Sequence, residues 1–275
     1  MLSQSGVPEA RREAGSLLSH VLNRDRTYLI SYSDEAIAYH NIQKFDEYVQ
    51  RRATGEPLQY ITGVQDFFGL RFKVTPDVLI PRPETELLVE RALNLLNDHP
   101  QQSKLICDVG TGSGCISVSL LNARRETKAV ALDISSPAVQ IAKVNAARHG
   151  VSERCRFFVS DCFSALDETH PLFDMIVSNP PYVSAAAFSG LQREVKDHEP
   201  RLALTPGGDG LRVIRTLLAQ SPTYLKPEGH LLFEMGFDQG DAVGEMIQTD
   251  VWRLLDMYPD LQGIPRIVVL QKKRA

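Results

Sequence analysis

The chain has 275 residues, 43% of them hydrophobic and 23% charged, with a formal net charge of −4. That size and composition supply a substantial core, in one large domain with a small companion or in two ordinary domains. The acidic balance argues against a protein that grips long nucleic acid by neutralising phosphates, and no apolar run reaches the roughly 18 residues that suggest a membrane-spanning helix.

The start of the chain, MLSQSGVPEARREAG, lacks the apolar stretch of a signal peptide, so the expected location is the cytoplasm. In EARREAGSLLSHVLN the residues Ala10, Ala14, Leu17, Leu18, Val21 and Leu22 recur at helical spacing and predict a first helix. A second helix is predicted from near Ser33, where Asp34 and Glu35 suit the positive helix end, through HNIQKFDEYVQRR. Gly55, Pro57 and Gly63 interrupt the periodicity of RRATGEPLQYITG. The stretch DFFGLRFKVTPDVLIPRPETE then alternates apolar residues around Gly69 and reads as a hairpin linking two domains. The expected division is a helical domain over 1–68, a hairpin linker over 69–82 and a second domain over 83–275.

From Lys104 onward strands alternate with helices. KLICDV and TKAVALD read as strands, and Ser136-Pro137 opens a helix over AVQIAKVNAARHG that Gly150 ends. CRFFVSD and FDMIVSN are further strands, a helix over about Leu211 to Ala219 precedes the strand HLLFEM, and RIVVLQ closes the sheet. The pattern predicts an α/β domain whose largely parallel sheet is covered by helices on both faces. The four cysteines (Cys107, Cys115, Cys155 and Cys162) form no CxxC pair and the seven histidines no HExxH, so neither a disulfide framework nor a metal site is expected.

The stretch DVGTGSGCISVSL places Asp108 at a strand end, then Gly110, Gly112 and Gly114 at alternate positions, then a helix. Glycines let the backbone turn tightly and lie bare against a ligand. Asp133 closes the next strand, where a carboxylate accepts hydrogen bonds from ribose hydroxyls, and Asp161 closes the third, within reach of an adenine amino group. The dinucleotide fingerprint GxGxxG would put its third glycine at Cys115. With GxGxG the turn suits a ligand carrying adenosine but no pyrophosphate, a description that S-adenosylmethionine matches. A plain strand-helix turn is the alternative.

Residues 174–182 read DMIVSNPPY, a buried strand that ends in a polar amide and two prolines. Pro180 and Pro181 have no amide hydrogen, hold the chain extended and leave nearby carbonyls unpaired. Asn179 adds a side-chain carbonyl, and Tyr182 offers a flat face. Together they present fixed acceptors to a planar NH2 group, which is a poor nucleophile because its lone pair is delocalised. Holding both hydrogens on acceptors aimed out of plane would favour a pyramidal nitrogen with its lone pair aimed at an activated methyl group, so geometry and fixed dipoles carry most of the catalysis. Asn179 and Pro180 are the candidate catalytic residues, and no general base is evident in the motif. A proline-rich turn is the plain reading.

GTGSG, the Asp133 strand end and NPPY together resemble class I S-adenosylmethionine-dependent methyltransferases that modify planar NH2 groups. Within that group GEPLQYITG at 55–63, IPRPETE at 80–86, EPRLAL at 199–204 and LLFEMGFDQG at 231–240 are similar to the release factor glutamine methyltransferases, over nearly the whole chain. The resemblance implies a Rossmann-like seven-stranded methyltransferase domain, with a small all-helical amino-terminal domain joined by a β-hairpin linker. It implies S-adenosyl-L-methionine against Gly110, Thr111, Gly112, Ser113 and Gly114, with Asp133 at the ribose and Asp161 and Cys162 beside the adenine. Asn179 would touch cofactor and substrate, and Asn179, Pro180, Pro181 and Tyr182 would cradle a glutamine side chain. Cys162 departs from the family, whose members often carry a large residue there, and implies less stacking on the adenine. The implied partner is a class I peptide chain release factor, methylated on the glutamine of its Gly-Gly-Gln loop and held by the helical domain. A monomer without stable nucleic-acid binding is expected. A glutamine of a ribosomal protein and adenine in DNA are the alternative substrates. Glu84 and Glu86 suit a helix start, while Arg82, Glu199 and Glu234 have no role assigned.

Overall fold

The computed structural model describes residues 1–97, 102–167, 169–260 and 262–274. The chain divides into two compact units, Met1–Val64 with Leu191–His198, and Gln65–Gly190 with Glu199–Ala275.

The first unit begins with α1 (Ala10–Leu22), α2 (Arg26–Ser31), α3 (Tyr39–Ala53) and α4 (Leu58–Thr62). The helix expected from Ser33 starts only at Tyr39. An extra short helix precedes it because the Asp25 carboxylate accepts from the Tyr28 amide at 2.8 Å and caps α2. Leu17 is fully buried, as the stripe on α1 predicts. Arg52 is also buried, and its guanidinium donates to Glu13 of α1 and, at 2.7 Å, to Glu194. Two carboxylates of opposite charge allow an arginine to sit there; an unpaired one would be expelled.

The second unit opens on a hairpin, β1 (Val64–Phe67) and β2 (Leu70–Lys73). Phe68 (φ 49°) and Gly69 (φ 71°) form the turn, and two positive φ angles in succession match the twist of paired strands. The strands thus flank Gly69 from residue 64 to 73. Phe67 and Phe72 are buried in the core of this unit, and the Asn145 side-chain amide bonds the Lys73 amide and carbonyl at 2.7 and 3.0 Å.

There follow α5 (Pro83–Asn97), β3 (Leu105–Val109), α6 (Cys115–Ala123), β4 (Lys128–Asp133), α7 (Ser136–Arg148), β5 (Cys155–Val159) and β6 (Phe173–Ser178). The short helices α8 (Ala185–Phe188), α9 (Arg193–His198) and α10 (Arg201–Leu204) come next, with α9 belonging to the first unit. The chain ends with α11 (Arg212–Tyr224), β7 (Leu225–Glu234), α12 (Gly240–Met246), β8 (Trp252–Pro259) and β9 (Pro265–Lys272).

The main sheet has seven strands in the order β5-β4-β3-β6-β7-β9-β8. Pairs from β5 to β7 are parallel, and β9 is antiparallel to both neighbours. Alternate residues feed two cores: Ile106, Ala129, Ala131, Met175 and Val177 pack with α5 and α6, while Cys107, Val130, Leu132 and Ile176 pack with α11. Burial on both faces is what makes these strands read as near-continuous apolar runs. This is the Rossmann-like architecture of class I methyltransferases. The chain runs outward from β3 to β5 and returns to β6 on the other side of β3. The carboxyl ends of β3, β4 and β6 therefore converge at the reversal, where open α/β sheets bind ligands. Among the described residues, no helix is long and apolar enough to cross a membrane.

Candidate active site

A cavity of about 400 Å³ opens at that reversal. Of the residues singled out in the sequence, Gly110, Thr111, Gly112, Ser113, Asp133, Asp161, Cys162, Asn179, Pro180 and Pro181 line it; Gly114 and Tyr182 do not. Thr85, Ile134, Arg201 and Leu202 join the lining without having been singled out as site residues.

The turn after β3 is pinned by two backbone bonds, from the Gly110 and Thr111 amides to the Leu132 carbonyl at 2.8 and 2.9 Å. Gly110 has φ 75° and Gly112 φ 54°, which only glycine adopts without strain. Gly114 serves packing: a Cβ there would lie 3.2 Å from the Cβ of Ala142 on α7. The third glycine of the motif lets α6 approach α7.

Beneath the turn Asp108 is fully buried. Its Oδ2 accepts from the Thr111 hydroxyl at 2.7 Å and the Ser117 amide at 3.2 Å, while Oδ1 has no partner among the described residues. Burial pushes this carboxyl up to about 6, with the bonds from Thr111 and Ser117 opposing the shift.

Asp133 ends β4 with both oxygens anchored, Oδ2 on the Gly112 amide and Oδ1 on the Ser135 amide, each at 2.8 Å. Its pKa is raised by burial, against those two bonds. Each oxygen keeps a lone pair, and the carboxylate lines the cavity as a preset acceptor for two hydroxyls. Ile134, half-exposed, follows it into the lining. Cys162 has φ 48°, and burial raises its thiol to about 11, so it is uncharged at neutral pH. These residues fit S-adenosylmethionine: a bare-backbone turn and a carboxylate set for a diol face one cavity, with buried Asp108 holding the turn from beneath.

Asn179 follows β6. Its Nδ2 donates to the Thr85 hydroxyl at 2.9 Å, and that hydroxyl donates to Glu234 Oε2 at 2.7 Å. The Tyr182 hydroxyl donates to the other oxygen of Glu234 at 3.1 Å. No donor among the described residues reaches Asn179 Oδ1 or the carbonyls of Asn179 and Pro180. Glu234 is 2% exposed and its pKa is raised, chiefly by burial. Tyr182 is likewise raised by burial, with the Glu234 charge adding to the shift.

Two further acidic residues, Glu199 and Glu86, brace backbone. Glu199 accepts from the Ile80 amide at 3.2 Å and from the Arg82 guanidinium, fixing the segment that brings Pro81 and Arg82 to the cavity wall. Glu86 Oε1 accepts from the Phe68 amide at 2.7 Å and ties the hairpin turn to α5, a specific bond beyond the helix-start role expected for it. Thr85 and Glu234 lie too far apart in sequence for any local pattern to pair them. Ile134 had a usable signal, an apolar residue directly after the acidic strand end.

Two family models match the chain, the PrmC N-terminal domain over residues 1–63 and the methyltransferase small domain over 84–221. A release factor glutamine methyltransferase of Koribacter versatilis is 44% identical over 98% of this chain and 94% of its own length. That of Nitratidesulfovibrio vulgaris is 40% identical, covering 98% and 91%. The chain belongs to the release factor glutamine methyltransferase family. Among solved structures, a 16S rRNA methyltransferase of T. thermophilus in complex with AdoMet and guanosine shares the fold, with a TM-score of 0.52 and 16% identity over 77% of this chain and 50% of that one. Within the family frame, the stretches PRPETE and LLFEM supply the buried partners of the NPPY loop, Thr85 and Glu234.

Proposed function

We propose that this protein transfers the methyl group of S-adenosyl-L-methionine to the side-chain amide nitrogen of the glutamine in the Gly-Gly-Gln loop of class I release factors. Full-length family membership supports the substrate class. The observation that carries the chemistry is the amide of Asn179, whose nitrogen is tied to Thr85 and whose oxygen is left for a ligand.

When bound, the cofactor supplies an electrophilic methyl carbon on a sulfonium. Asp133 accepts from the ribose hydroxyls, the backbone of Gly110 to Ser113 passes beneath the cofactor, and Asp161, Cys162 and Ile134 border its adenine. Asn179 Oδ1 and the Pro180 carbonyl each accept one hydrogen of the glutamine NH2. Pulling both hydrogens toward fixed acceptors out of the amide plane weakens amide delocalisation and frees the nitrogen lone pair for in-line attack. The N–C bond forms as the S–C bond breaks, and the amide then sheds one proton to return to neutrality. Pro181 keeps the carbonyls from turning, and Tyr182 anchors the far end of the loop through its hydroxyl on Glu234. The helical unit holds the body of the release factor, and the protein acts as a monomer in the cytoplasm, where translation terminates.

Incubation with labelled cofactor and either release factor or DNA tests this reading. Label on the release factor, abolished by Asn179→Ala, supports it; label on DNA alone contradicts it.

A further inference from the structure

The chain Asn179–Thr85–Glu234 has a direction, and the carboxylate sets it. A carboxylate only accepts hydrogen bonds, and the hydroxyls of Thr85 and Tyr182 that both donate to Glu234 favour its ionised form against the burial that raises its pKa. Glu234 Oε2 therefore takes the single hydroxyl proton of Thr85, at 2.7 Å. With its proton committed, Thr85 Oγ1 has only lone pairs to offer its other neighbour, so the amide of Asn179 must face it with Nδ2, at 2.9 Å. The opposite flip would bring Asn179 Oδ1 against an oxygen with no proton left to give. The second carboxylate oxygen is filled the same way by the Tyr182 hydroxyl, at 3.1 Å. Glu234 thus grips both ends of the NPPY loop from β7, and Thr85 transmits the polarity from the first turn of α5.

We infer that Glu234 and Thr85 are positioning residues for methyl transfer: their ordered hydrogen bonds fix the flip of the Asn179 amide so that its oxygen, not its NH2, meets the substrate nitrogen. A flipped Asn179 would present donors to an NH2 group that itself needs acceptors, and the nitrogen would be pushed from the reacting line. The inference rests on the acceptor role proposed for Asn179, and its test separates the two. Glu234 touches neither ligand in this scheme. Its burial serves the same purpose, because water reaching the carboxylate or Thr85 would supply alternative donors and blur the direction.

The test compares steady-state methylation of purified release factor by the full-length protein and by Thr85→Val, Thr85→Ser, Glu234→Gln, the Thr85→Val/Glu234→Gln double variant and Asn179→Ala. Cofactor Kd by calorimetry and the thermal midpoint are measured for each. Thr85→Val keeps the side-chain shape and removes the relay; kcat is expected to fall about 100-fold, the scale of a misplaced reacting group, with cofactor Kd within about twofold. Thr85→Ser restores the hydroxyl and is expected to recover most of the rate. The double variant is expected to be no slower than the slower single variant, since one chain of bonds is broken once. A Thr85→Val kcat within about twofold of wild type, or equal losses in the valine and serine variants, overturns the inference while leaving Asn179 as the acceptor. Full activity in Asn179→Ala removes the acceptor role and the inference with it.

Discussion

The carbonyl oxygen of Tyr182 lies where a side chain on Gly210 would be: a Cβ built on that glycine would approach it to 2.3 Å. Gly210 has φ 84°, and the same carbonyl accepts from Gln239 Nε2 at 2.9 Å. The loop carrying Asn179 to Tyr182 is therefore seated on bare backbone. Gly210→Ala is expected to combine positive-φ strain of about 1–2 kcal/mol with displacement of the loop. Thermal unfolding should show a lower midpoint, and kcat should fall more than cofactor affinity does. An unchanged kcat would show that the loop does not need this seat.

Asp133 offers a second prediction. Its two oxygens each hold a backbone amide, Gly112 and Ser135, so an asparagine there can satisfy only one of them. Asp133→Asn opposes a donor to one of those amides and removes the charge presented to the ribose. With charge-assisted bonds at about 1.5–3 kcal/mol, cofactor Kd is expected to rise roughly tenfold to a hundredfold. Calorimetric titration with S-adenosylmethionine checks this, and an unaltered Kd would move the ribose elsewhere.

The glycines of the turn should separate by readout. Gly114→Ala meets the Ala142 Cβ at 3.2 Å and is expected to lower stability through the contact of α6 with α7. Gly112→Ala meets nothing within 4 Å but lies at φ 54° under the expected ligand site, and it should weaken cofactor binding more than Gly114→Ala does. Equal effects of the two variants on Kd and stability would contradict this division of roles.

Buried Asp108 predicts a pH dependence. Folded, it holds its proton to about pH 6, whereas an unfolded aspartate releases it near pH 4. Between those values the native state binds more protons than the unfolded state, so stability falls as pH rises and the loss is complete above the folded value. Over two pH units this amounts to on the order of 3 kcal/mol. Asp108→Asn does not titrate, so wild type should lose that much relative to it between pH 4 and pH 7 in urea unfolding. Parallel pH profiles of the two proteins would contradict the burial cost.

The sequence made the sheet legible where strands were buried on both faces: KLICDV, TKAVALD and FDMIVSN stand out because their central residues are buried without interruption. It concealed β8, an edge strand with a register shift between Leu254 and Asp256, in which Leu254 and Leu255 are both exposed and two-residue alternation is lost. The cavity-lining half of the candidate site was equally legible, because Gly110, Gly112, Asp133 and Asn179 stand at or just after strand ends. The supporting half was not. Thr85 and Glu234 are 149 positions apart and meet only because α5 packs near the end of β7. Gly114 and Tyr182 show the converse: each belongs to a legible motif, yet the fold turns one toward a helix and the other's hydroxyl toward a buried carboxylate.

The most direct test of the account is mass spectrometry of the Gly-Gly-Gln peptide from purified release factor, after incubation with this protein and S-adenosylmethionine. The account predicts the gain of one methyl group on the glutamine side-chain nitrogen with wild type and no gain with Asn179→Ala. An unmodified glutamine with the wild-type protein, or a methyl group on that nitrogen with Asn179→Ala, would contradict it.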